Sequence, residues 1–395
     1  MEQSIILTIC VLMLIAYVFD FTASTTKIPA VILLLILGYL VKEITFYLRI
    51  DIPNLEPVLP ILGTVGLILI VLEGSLELEF NRSKFKVLRQ SFLLAFVSLF
   101  LLSGLLAWGL IYYYGIAWKT ALINSIPLFI ISSAIAIPSV QHFSKHRKEF
   151  VTYESSLSDI LGVIFFNFFV LNETIGFVAI GSFVWQIFLI VLISFIASAG
   201  LAYMMTKIKH NIKFAPIILL LILIYTIAKI YHLPALIFIL IFGLFMGNLD
   251  QLSKFKWIEK LKPEILDKEV GKFHEIVSEA TFLVRALFFL LFGFLIEAKE
   301  LLNVNSLIIA AIVCGAIFIL RWIQLKSFRI NLYPLFFIAP RGLITVLLYL
   351  SIPERYHIDV INKPLIIQII VITAFVMMIG LIVTKPKPVV REPKE

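Results

Sequence analysis

The sequence predicts an all-α polytopic membrane protein with about 13 transmembrane helices. Three observations support this fold class: the composition, the number of long apolar runs, and the alternation of positive charge between the connecting segments. Of the 395 residues, 61% are hydrophobic and 15% are charged, with a mean hydropathy of +1.05. Because soluble globular domains contain about 45–50% apolar and about 25% charged residues, this composition excludes a soluble enzyme.

The apolar runs define the predicted helices. A helix needs about 20 mainly apolar residues to cross a hydrocarbon core of about 30 Å, and 13 runs meet that criterion. The predicted helices start near Ile5, Pro29, Leu59, Ser91, Ala121, Ser155, Phe183, Phe214, Pro234, Glu275, Leu307, Tyr333 and Leu365. The connections between them are short. Residues 1–395 are therefore predicted to form a single membrane domain, and any activity must reside in the helices themselves.

Positive charge alternates between successive connections. Of the 33 lysines and arginines, 23 fall on one predicted side, seven on the other, and three inside predicted spans. Because cytoplasmic segments are enriched in Lys and Arg, we expect the N-terminus outside and the C-terminus in the cytoplasm of a cell (plasma) membrane protein. The net charge of +8 does not indicate a nucleic-acid partner, since apolar runs separate the basic residues.

An internal repeat accompanies these spans. Pro29 to Gly38 and Pro234 to Gly243 have the same spacing and open the second and ninth predicted spans. Seven helices is an odd offset, so the copies face opposite sides of the membrane, an arrangement typical of secondary transporters. The predicted organisation is a first inverted repeat at 21–180, a linker helix at 181–212, a second inverted repeat at 213–384 and a cytoplasmic tail at 385–395.

Prolines at matching positions predict two interrupted helices. The fifth predicted span contains Pro138 and the twelfth contains Pro340. Proline removes a backbone donor, and a broken helix frees carbonyl groups and half-helix ends to line a binding cavity. Ser132 and Ser133 precede Pro138, and hydroxyl groups beside a break are suitable ligands for a hard cation such as sodium. Serine hydroxyls also bond to the carbonyls of their own helix, so both interpretations remain open.

The sixth predicted span opens with two acidic residues. Asp159 stacks with Ser155 on one helical face, and Glu154 stacks with Ser158 on the neighbouring face. An ionised carboxylate inside a membrane costs several kcal/mol unless a cavity solvates it or a cation binds it. We therefore predict that Asp159 holds a proton and a metal cation alternately. The alternatives are a permanent pair with an arginine, or a carboxyl group that stays protonated.

Three arginines lie inside predicted spans. Arg321, in the eleventh span, is the expected partner of Glu154 in a structural ion pair. Arg341 follows Pro340, where it can neutralise the C-terminal end of a half-helix. For Arg341 and for Arg285 in the tenth span, packing or dipole roles and substrate contact are all open. No His-Glu-x-x-His or Gly-x-Ser-x-Gly motif occurs, so we expect neither an enzyme nor a cofactor.

These residues resemble motifs of the cation/proton antiporter superfamily, which contains the bacterial and animal sodium/proton exchangers. Ser158-Asp159-Ile160-Leu161-Gly162 resembles the Asp-Asp-Ile-Leu-Gly run of its electrogenic branch, and Glu154-Ser155 resembles the Glu-Ser of its electroneutral branch. Ser132-Ser133-Ala134-Ile135 resembles the Ser-Ser-Thr-Ala-Ile of an interrupted helix in this family. Arg321 stands where the family has Lys or Arg, and Pro340-Arg341-Gly342 resembles an Arg-Gly motif in its second interrupted helix. The resemblance spans roughly Pro29 to Leu381.

The resemblance implies a site and a mechanism. Asp159 is implied to bind the transported cation and the proton, with Ser155 assisting it and Glu154 paired with Arg321. The family also implies a homodimer in which a core domain moves against a scaffold domain. Ser158 stands where the family has Asn or Asp, and since serine cannot ionise, this departure favours electroneutral exchange. Ala136-Ile137 replaces the family's Thr-Asp before Pro138, which leaves the identity of the cation open.

The predicted function is exchange of a monovalent cation, Na+ first and K+ or Li+ as alternatives, for H+ in pH homeostasis. A sodium-coupled symporter of an organic anion on a similar fold is an alternative that requires an unpaired Arg285 or Arg341. A membrane channel or sensor that binds ions without turnover is a second alternative, which saturable exchange against a pH gradient would distinguish.

Overall fold

The computed structural model describes residues 2–26, 28–50, 55, 57–78, 84–141, 143–172, 176–207, 214–231, 233, 235–249, 263–297, 299 and 302–384. The predicted tail at 385–395, the end of the predicted linker at 208–212, and Pro234 lie outside these ranges. The described residues form helices and contain no β-strand, which confirms the all-helical fold.

The α-helices have the following bounds. They are α1 (Glu2–Thr26), α2 (Ala30–Tyr47), α3 (Val58–Glu77), α4 (Phe85–Tyr114), α5 (Trp118–Ser125), α6 (Ser133–Ser139), α7 (Lys145–Leu171), α8 (Phe177–Lys207), α9 (Phe214–Ile230), α10 (Ala235–Gly247), α11 (Pro263–Phe294), α12 (Val304–Ser327), α13 (Leu343–Leu350) and α14 (Lys363–Val383). Short 3-10 helices occur at Ile126–Phe129, Leu335–Phe337 and Glu354–Tyr356.

The membrane spans agree with the prediction. Within the described ranges, nine helical segments are long and apolar enough to cross a membrane, one of them the broken segment Trp118–Ser139. Three shorter apolar helices lie at Leu7–Ala23, Phe214–Ile230 and Ala235–Gly247. The remaining predicted span corresponds to the 3-10 helix at Leu335–Phe337 followed by α13. Broken and short helices therefore complete the predicted set.

Two helices begin well before their predicted starts. α7 begins at Lys145 instead of Ser155, and α11 begins at Pro263 instead of Glu275. The additional turns contain charged residues, which water solvates where the helix extends beyond the hydrocarbon layer, so hydropathy alone underestimates helix length. As a result, Asp159 lies near the middle of α7 and not close to its start.

The helices pack in two groups. Helix group A comprises α2, α3 and α8 to α11, in which α11 packs on α2 and α3, and α10 packs on α3, α8 and α9. Helix group B comprises α4 to α7 and α12 to α14, in which α7 packs on α4 and α6, and α12 packs on α4 and α14. The groups meet where α3 contacts α6, α7 and α13. α1 contacts α2, α11 and α6.

The repeated glycines lie at close helix crossings inside group A. A β-carbon at Gly38 of α2 would collide with the Leu290 carbonyl of α11, and one at Gly243 of α10 would collide with the Ser75 side chain of α3. Small residues allow membrane helices to approach this closely. Each glycine therefore joins helices from different predicted repeats. The repeat boundaries themselves stay a prediction.

The predicted break at Pro138 is wrong. Pro138 lies inside α6, whereas the chain between the 3-10 helix and α6 is extended at Ile130–Ser132. Because α6 ends one residue after Pro138, the proline removes only one helical hydrogen bond, the one that the Ala134 carbonyl would accept. Tertiary contacts hold the true break: the Ile131 N–H donates to Ser158 Oγ at 2.9 Å, and the Ser132 N–H donates to the Pro340 carbonyl at 2.9 Å. Pro340 itself lies in the second break.

Candidate functional site

Asp159 lies on α7, in the middle of the helix, with 1% of its surface exposed. Its Oδ2 accepts hydrogen bonds from the Ser133 hydroxyl and, at 3.4 Å, from the Ser133 N–H at the start of α6. Its Oδ1 is buried without a hydrogen-bond partner among the described residues. Within the same ranges, no Lys or Arg pairs with this carboxyl group. The broken helix thus brings a neutral donor, and no cation, to Asp159.

A narrow cavity that Asp159 helps to line lies at the boundary of the two helix groups. Ser75 of α3 and Leu240 of α10 line it from group A, and Ser133 and Ser156 line it from group B. The space is too narrow for a water molecule. Ser156 Oγ is buried without a hydrogen-bond partner in the part of the chain that the structure describes. A carboxylate and several hydroxyl oxygens form the type of ligand set that hard cations prefer.

The serines that line the cavity differ in part from those expected from the sequence, since Ser156 and Ser75 were missed and Ser155 does not take part. Ser155 is buried, but its hydroxyl donates to the Val151 carbonyl of its own helix at 2.8 Å, and it does not line the cavity. Ser156, three residues before Asp159, lines it instead. Because spacings of three and four residues both place side chains on one helical face, the sequence signal for Ser156 was as good as that for Ser155. Ser75 belongs to a different helix, so local spacing could not identify it.

Ser158 and Ser132 hold the broken helix in place. Ser158 Oγ accepts from the Ile131 N–H, and the Ser132 backbone N–H donates to the Pro340 carbonyl in the second break. These bonds satisfy two backbone donors that the extended segment leaves without helical partners, which matters because unpaired backbone groups are costly in a membrane. The two serines therefore position Ser133, which contacts Asp159 directly.

Glu154 and Arg321 form a buried bidentate ion pair. Arg321 Nη1 lies 2.8 Å from Glu154 Oε1, and Arg321 Nη2 lies 3.0 Å from Glu154 Oε2. Arg321 Nε also donates to the Leu335 carbonyl at 2.8 Å. Both residues are at most 3% exposed. The pair joins α7 to α12 and to the segment that leads into the second break, in the geometry that suits a planar guanidinium group.

Arg341 binds the ends of both broken helices. Its Nε donates to the Leu128 carbonyl at 3.0 Å, and its Nη1 donates to the Ala339 carbonyl at 2.7 Å. Its backbone N–H donates to Thr373 Oγ1 on α14 at 3.0 Å. Leu128 lies in the 3-10 helix that ends the first half of the broken span, so the guanidinium group stands at the negative end of a half-helix. The buried cation thereby stabilises the crossing of the two breaks.

Arg285 links group A to the broken helix of group B. Its Nη2 lies 3.2 Å from Asp20 Oδ1 on α1, and its Nη1 donates to the Ala134 carbonyl of α6 at 3.4 Å. Pro138 has no N–H, so the Ala134 carbonyl four residues earlier lacks its normal helical donor. Arg285 supplies one instead. The sequence interpretation missed Asp20, although an acidic residue inside an apolar run was the available signal.

Comparisons with known proteins agree with this architecture. Residues 10–386 match the profile of the family described as sodium/hydrogen exchanger, transmembrane. The structure resembles that of the sodium proton antiporter MjNhaP1 from Methanocaldococcus jannaschii at pH 8, with a TM-score of 0.66 and 16% identity over 97% of this chain and 96% of the other. An electron-microscopy structure of the same antiporter gives a TM-score of 0.69 and 15% identity over 97% and 95%.

At these identities the structural matches show the fold alone. The comparison with curated proteins found no match. The family profile, by contrast, covers nearly the whole chain, and its members are transporters that exchange cations for protons across a membrane. The described helices are accordingly those of a multi-pass membrane protein. The chain belongs to the sodium/hydrogen exchanger family.

Proposed function

We propose that this chain exchanges one monovalent cation for one proton at Asp159. The observation that carries the proposal is a carboxyl group, 1% exposed, with one oxygen bound to Ser133 and the other without a partner among the described residues. A buried carboxylate without a cation is several kcal/mol less stable than a neutral group. Asp159 therefore needs either a proton or a bound cation.

Competition between these two ions produces exchange. A proton on Asp159 removes the charge that attracts a cation, and a bound cation displaces the proton. Ser133, Ser156 and Ser75 supply neutral oxygen atoms, which suit Na+ or the similar ions Li+ and K+. Because Ser158 cannot ionise, one carboxyl group alternates between two neutral complexes, and the exchange is electroneutral.

Transport also requires that Asp159 reach both sides of the membrane. The carboxyl group is closed off from solvent, and its cavity lies between α3 and α10 of group A and α6 and α7 of group B. Sliding of group B along group A would open this boundary to one side and then to the other. We place the chain as a homodimer in the plasma membrane with its N-terminus outside, as the charge distribution and the family resemblance suggest.

The contacts of Arg285 and Arg341 argue against an anion symporter. Such a transporter needs a cationic group free to bind the substrate. Arg285 instead contacts Asp20 and the Ala134 carbonyl, and Arg341 contacts the Leu128 and Ala339 carbonyls. Both guanidinium groups thus bind groups of the protein itself and are not free to bind a substrate anion. A channel or a sensor remains distinguishable by experiment, since neither shows saturable exchange.

The test is proton flux in proteoliposomes containing the full chain and a pH-sensitive dye. Na+, Li+ and K+ are added in turn, and Asp159→Asn is compared with Asp359→Asn, the same change at an exposed position. We expect saturable flux with the unaltered chain and with Asp359→Asn, and none with Asp159→Asn. A membrane potential set with valinomycin should leave an electroneutral flux unchanged. Cation-dependent flux that persists in Asp159→Asn would exclude this carboxyl group as the exchange site.

A further inference from the structure

A second and larger cavity lies at the end of helix group B where α4 and α7 begin. Its volume is about 360 Å³. Four basic side chains line it: Lys86 of α4, His146 and Arg147 of α7, and Arg329 after α12. Gln90 and Asn331 add amide groups, and Leu335, Phe150 and Phe328 add apolar surface. The lining contains no Asp or Glu, so Lys86, Arg147 and Arg329 give the cavity a positive charge.

The basic groups of this cavity have no counter-charge among the residues that the structure describes. Lys86, His146, Arg147 and Arg329 make no side-chain hydrogen bond or ion pair with other described residues. The nearby acidic residue Glu149 is paired with Lys84 at 2.9 Å. Like charges that converge on one cavity repel one another, more strongly than on an open surface where water screens them. A bound anion would remove this repulsion.

The N-terminal ends of two helices at this cavity add further positive charge. Lys86 lies in the first turn of α4, and His146 and Arg147 lie in the first turn of α7, and neither turn contains an acidic residue. The N-terminal end of a helix is the positive end of its dipole, so basic residues there are unfavourable. Cytoplasmic loops need basic residues for membrane orientation, but that requirement does not direct four of them into one cavity.

We propose that this cavity binds a phosphate group, carried by a free anion or by the headgroup of an anionic phospholipid. Arginine presents a planar fork of donors that matches phosphate oxygens, and lysine adds a point charge. The amides of Gln90 and Asn331 can donate further hydrogen bonds. The charge distribution puts this end of the bundle on the cytoplasmic side, where both sources of phosphate are present.

The phosphate site adjoins the buried ion pair of the transport core. Leu335 lines the cavity, and its carbonyl accepts from Arg321 Nε, which in turn holds Glu154. Phe150 also lines the cavity, and its carbonyl accepts from the Ser91 hydroxyl of α4. An anion bound to Arg147 and Arg329 would tie α7 to the segment from 328 to 335. Binding would therefore stabilise group B against unfolding.

Two arginines provide a matched pair of variants. Arg329 (φ 55°) and Arg49 (φ 50°) each have left-handed backbone conformation and follow the end of a helix. The same pair of backbone hydrogen bonds forms at each position. The Arg329 N–H donates to the Lys326 carbonyl and the Ile330 N–H to the Leu325 carbonyl. In the same way, the Arg49 N–H donates to the Phe46 carbonyl and the Ile50 N–H to the Thr45 carbonyl. Glycine is the residue that favours this conformation. Both Arg→Gly variants should therefore fold, but only Arg329 lines the cavity.

The experiment measures binding without reference to transport. The purified full chain in neutral detergent is titrated with Tris phosphate, with Tris chloride of equal ionic strength as the control, and its melting temperature is recorded. A second arm compares melting in phosphatidylcholine vesicles with and without phosphatidylglycerol. We expect phosphate or phosphatidylglycerol to raise the melting temperature of the unaltered chain and of Arg49→Gly. Arg329→Gly and Arg147→Gln should each raise the phosphate concentration needed for the same shift in melting temperature about tenfold, as expected for the loss of one charge-assisted hydrogen bond.

Each result has a definite meaning. Stabilisation by phosphate alone identifies a free anion as the source, and stabilisation by phosphatidylglycerol alone identifies a lipid headgroup. The absence of both effects at millimolar phosphate and in phosphatidylglycerol vesicles would overturn the proposal. Equal stabilisation of Arg329→Gly, Arg147→Gln and Arg49→Gly would also overturn it, since binding would then be independent of the cavity. Because the readout is melting temperature, failure here leaves the exchange proposal at Asp159 unaffected.

Discussion

Glu154 and Asp159 lie five residues apart on α7, and each is 1% exposed. Glu154 has both oxygens bound by Arg321 of α12. Asp159 has one oxygen bound by Ser133 of α6 and one without a partner in the described ranges. Two similar carboxyl groups on one helix thus have different neighbours, one a permanent cation and the other a hydroxyl group. The comparison separates a carboxylate held by a buried arginine from one that we propose exchanges ions.

The largest expected effect on stability comes from breaking the Glu154–Arg321 ion pair. Glu154→Gln leaves Arg321 buried without its counter-charge and should lower the free energy of unfolding by about 3–5 kcal/mol. Thermal melting of the purified protein in detergent measures the change. Glu354→Gln, the same substitution at an exposed position, is the control. Equal melting temperatures for the two variants would show that the pair does not hold α7 to α12.

The second largest effect is expected on cation binding, when the hydrogen bond between Ser133 and Asp159 is removed. Ser133→Ala removes the hydroxyl donor and one oxygen ligand, and we expect the KM for the exchanged cation to rise about tenfold, as for the loss of one hydrogen bond to a charged group. Flux measured against cation concentration gives the value. Ser125→Ala, which removes a hydroxyl group bonded within α5, is the control. An unchanged KM in Ser133→Ala would remove Ser133 from the cation site.

The same change of carboxyl to amide at Asp159 should have little effect on stability, in contrast to Glu154→Gln. Asp159→Asn leaves no buried cation unpaired, and its amide oxygen can still accept from Ser133, so the free energy of unfolding should stay within about 1 kcal/mol of the original value. The melting assay used for Glu154→Gln provides a direct comparison. A loss as large as that of Glu154→Gln would mean that Asp159 also has a structural role.

The smallest effect is expected at Ser155. Ser155 does not line the Asp159 cavity, and its hydroxyl bonds to the Val151 carbonyl of its own helix, so Ser155→Ala should leave the KM for the cation unchanged and change the free energy of unfolding by no more than about 1 kcal/mol. Ser156→Ala, at the adjacent position on the cavity wall, should raise the KM for the cation. If Ser155→Ala raised the KM and Ser156→Ala did not, the ligand assignment of the two serines would be reversed.

Much of the fold could be predicted from local sequence. Long apolar runs and the distribution of basic residues predict the spans, and the repeated Pro-to-Gly segments point to Gly38 and Gly243, which lie at close crossings. The start of α7 could not be predicted in this way, because a helix continues beyond the membrane through charged residues that hydropathy assigns to a loop. The break near Pro138 was misplaced for a different reason, since proline near the end of a helix is tolerated.

The sequence by itself determined that buried charges such as Glu154, Asp159 and Arg321 would lie in the membrane, because a hydrophobic run around a charge is visible locally. The sequence also made Arg321 the expected partner of Glu154, whereas the partners of Asp159, Arg285 and Arg341 came only from the tertiary structure. It brings Arg321 to Glu154, Ser133 to Asp159, and Arg341 to the ends of the two broken helices. These partners come from distant segments of the chain. The contacts depend on how helices cross, and helix crossing is set by the packing of whole surfaces, which local spacing does not describe.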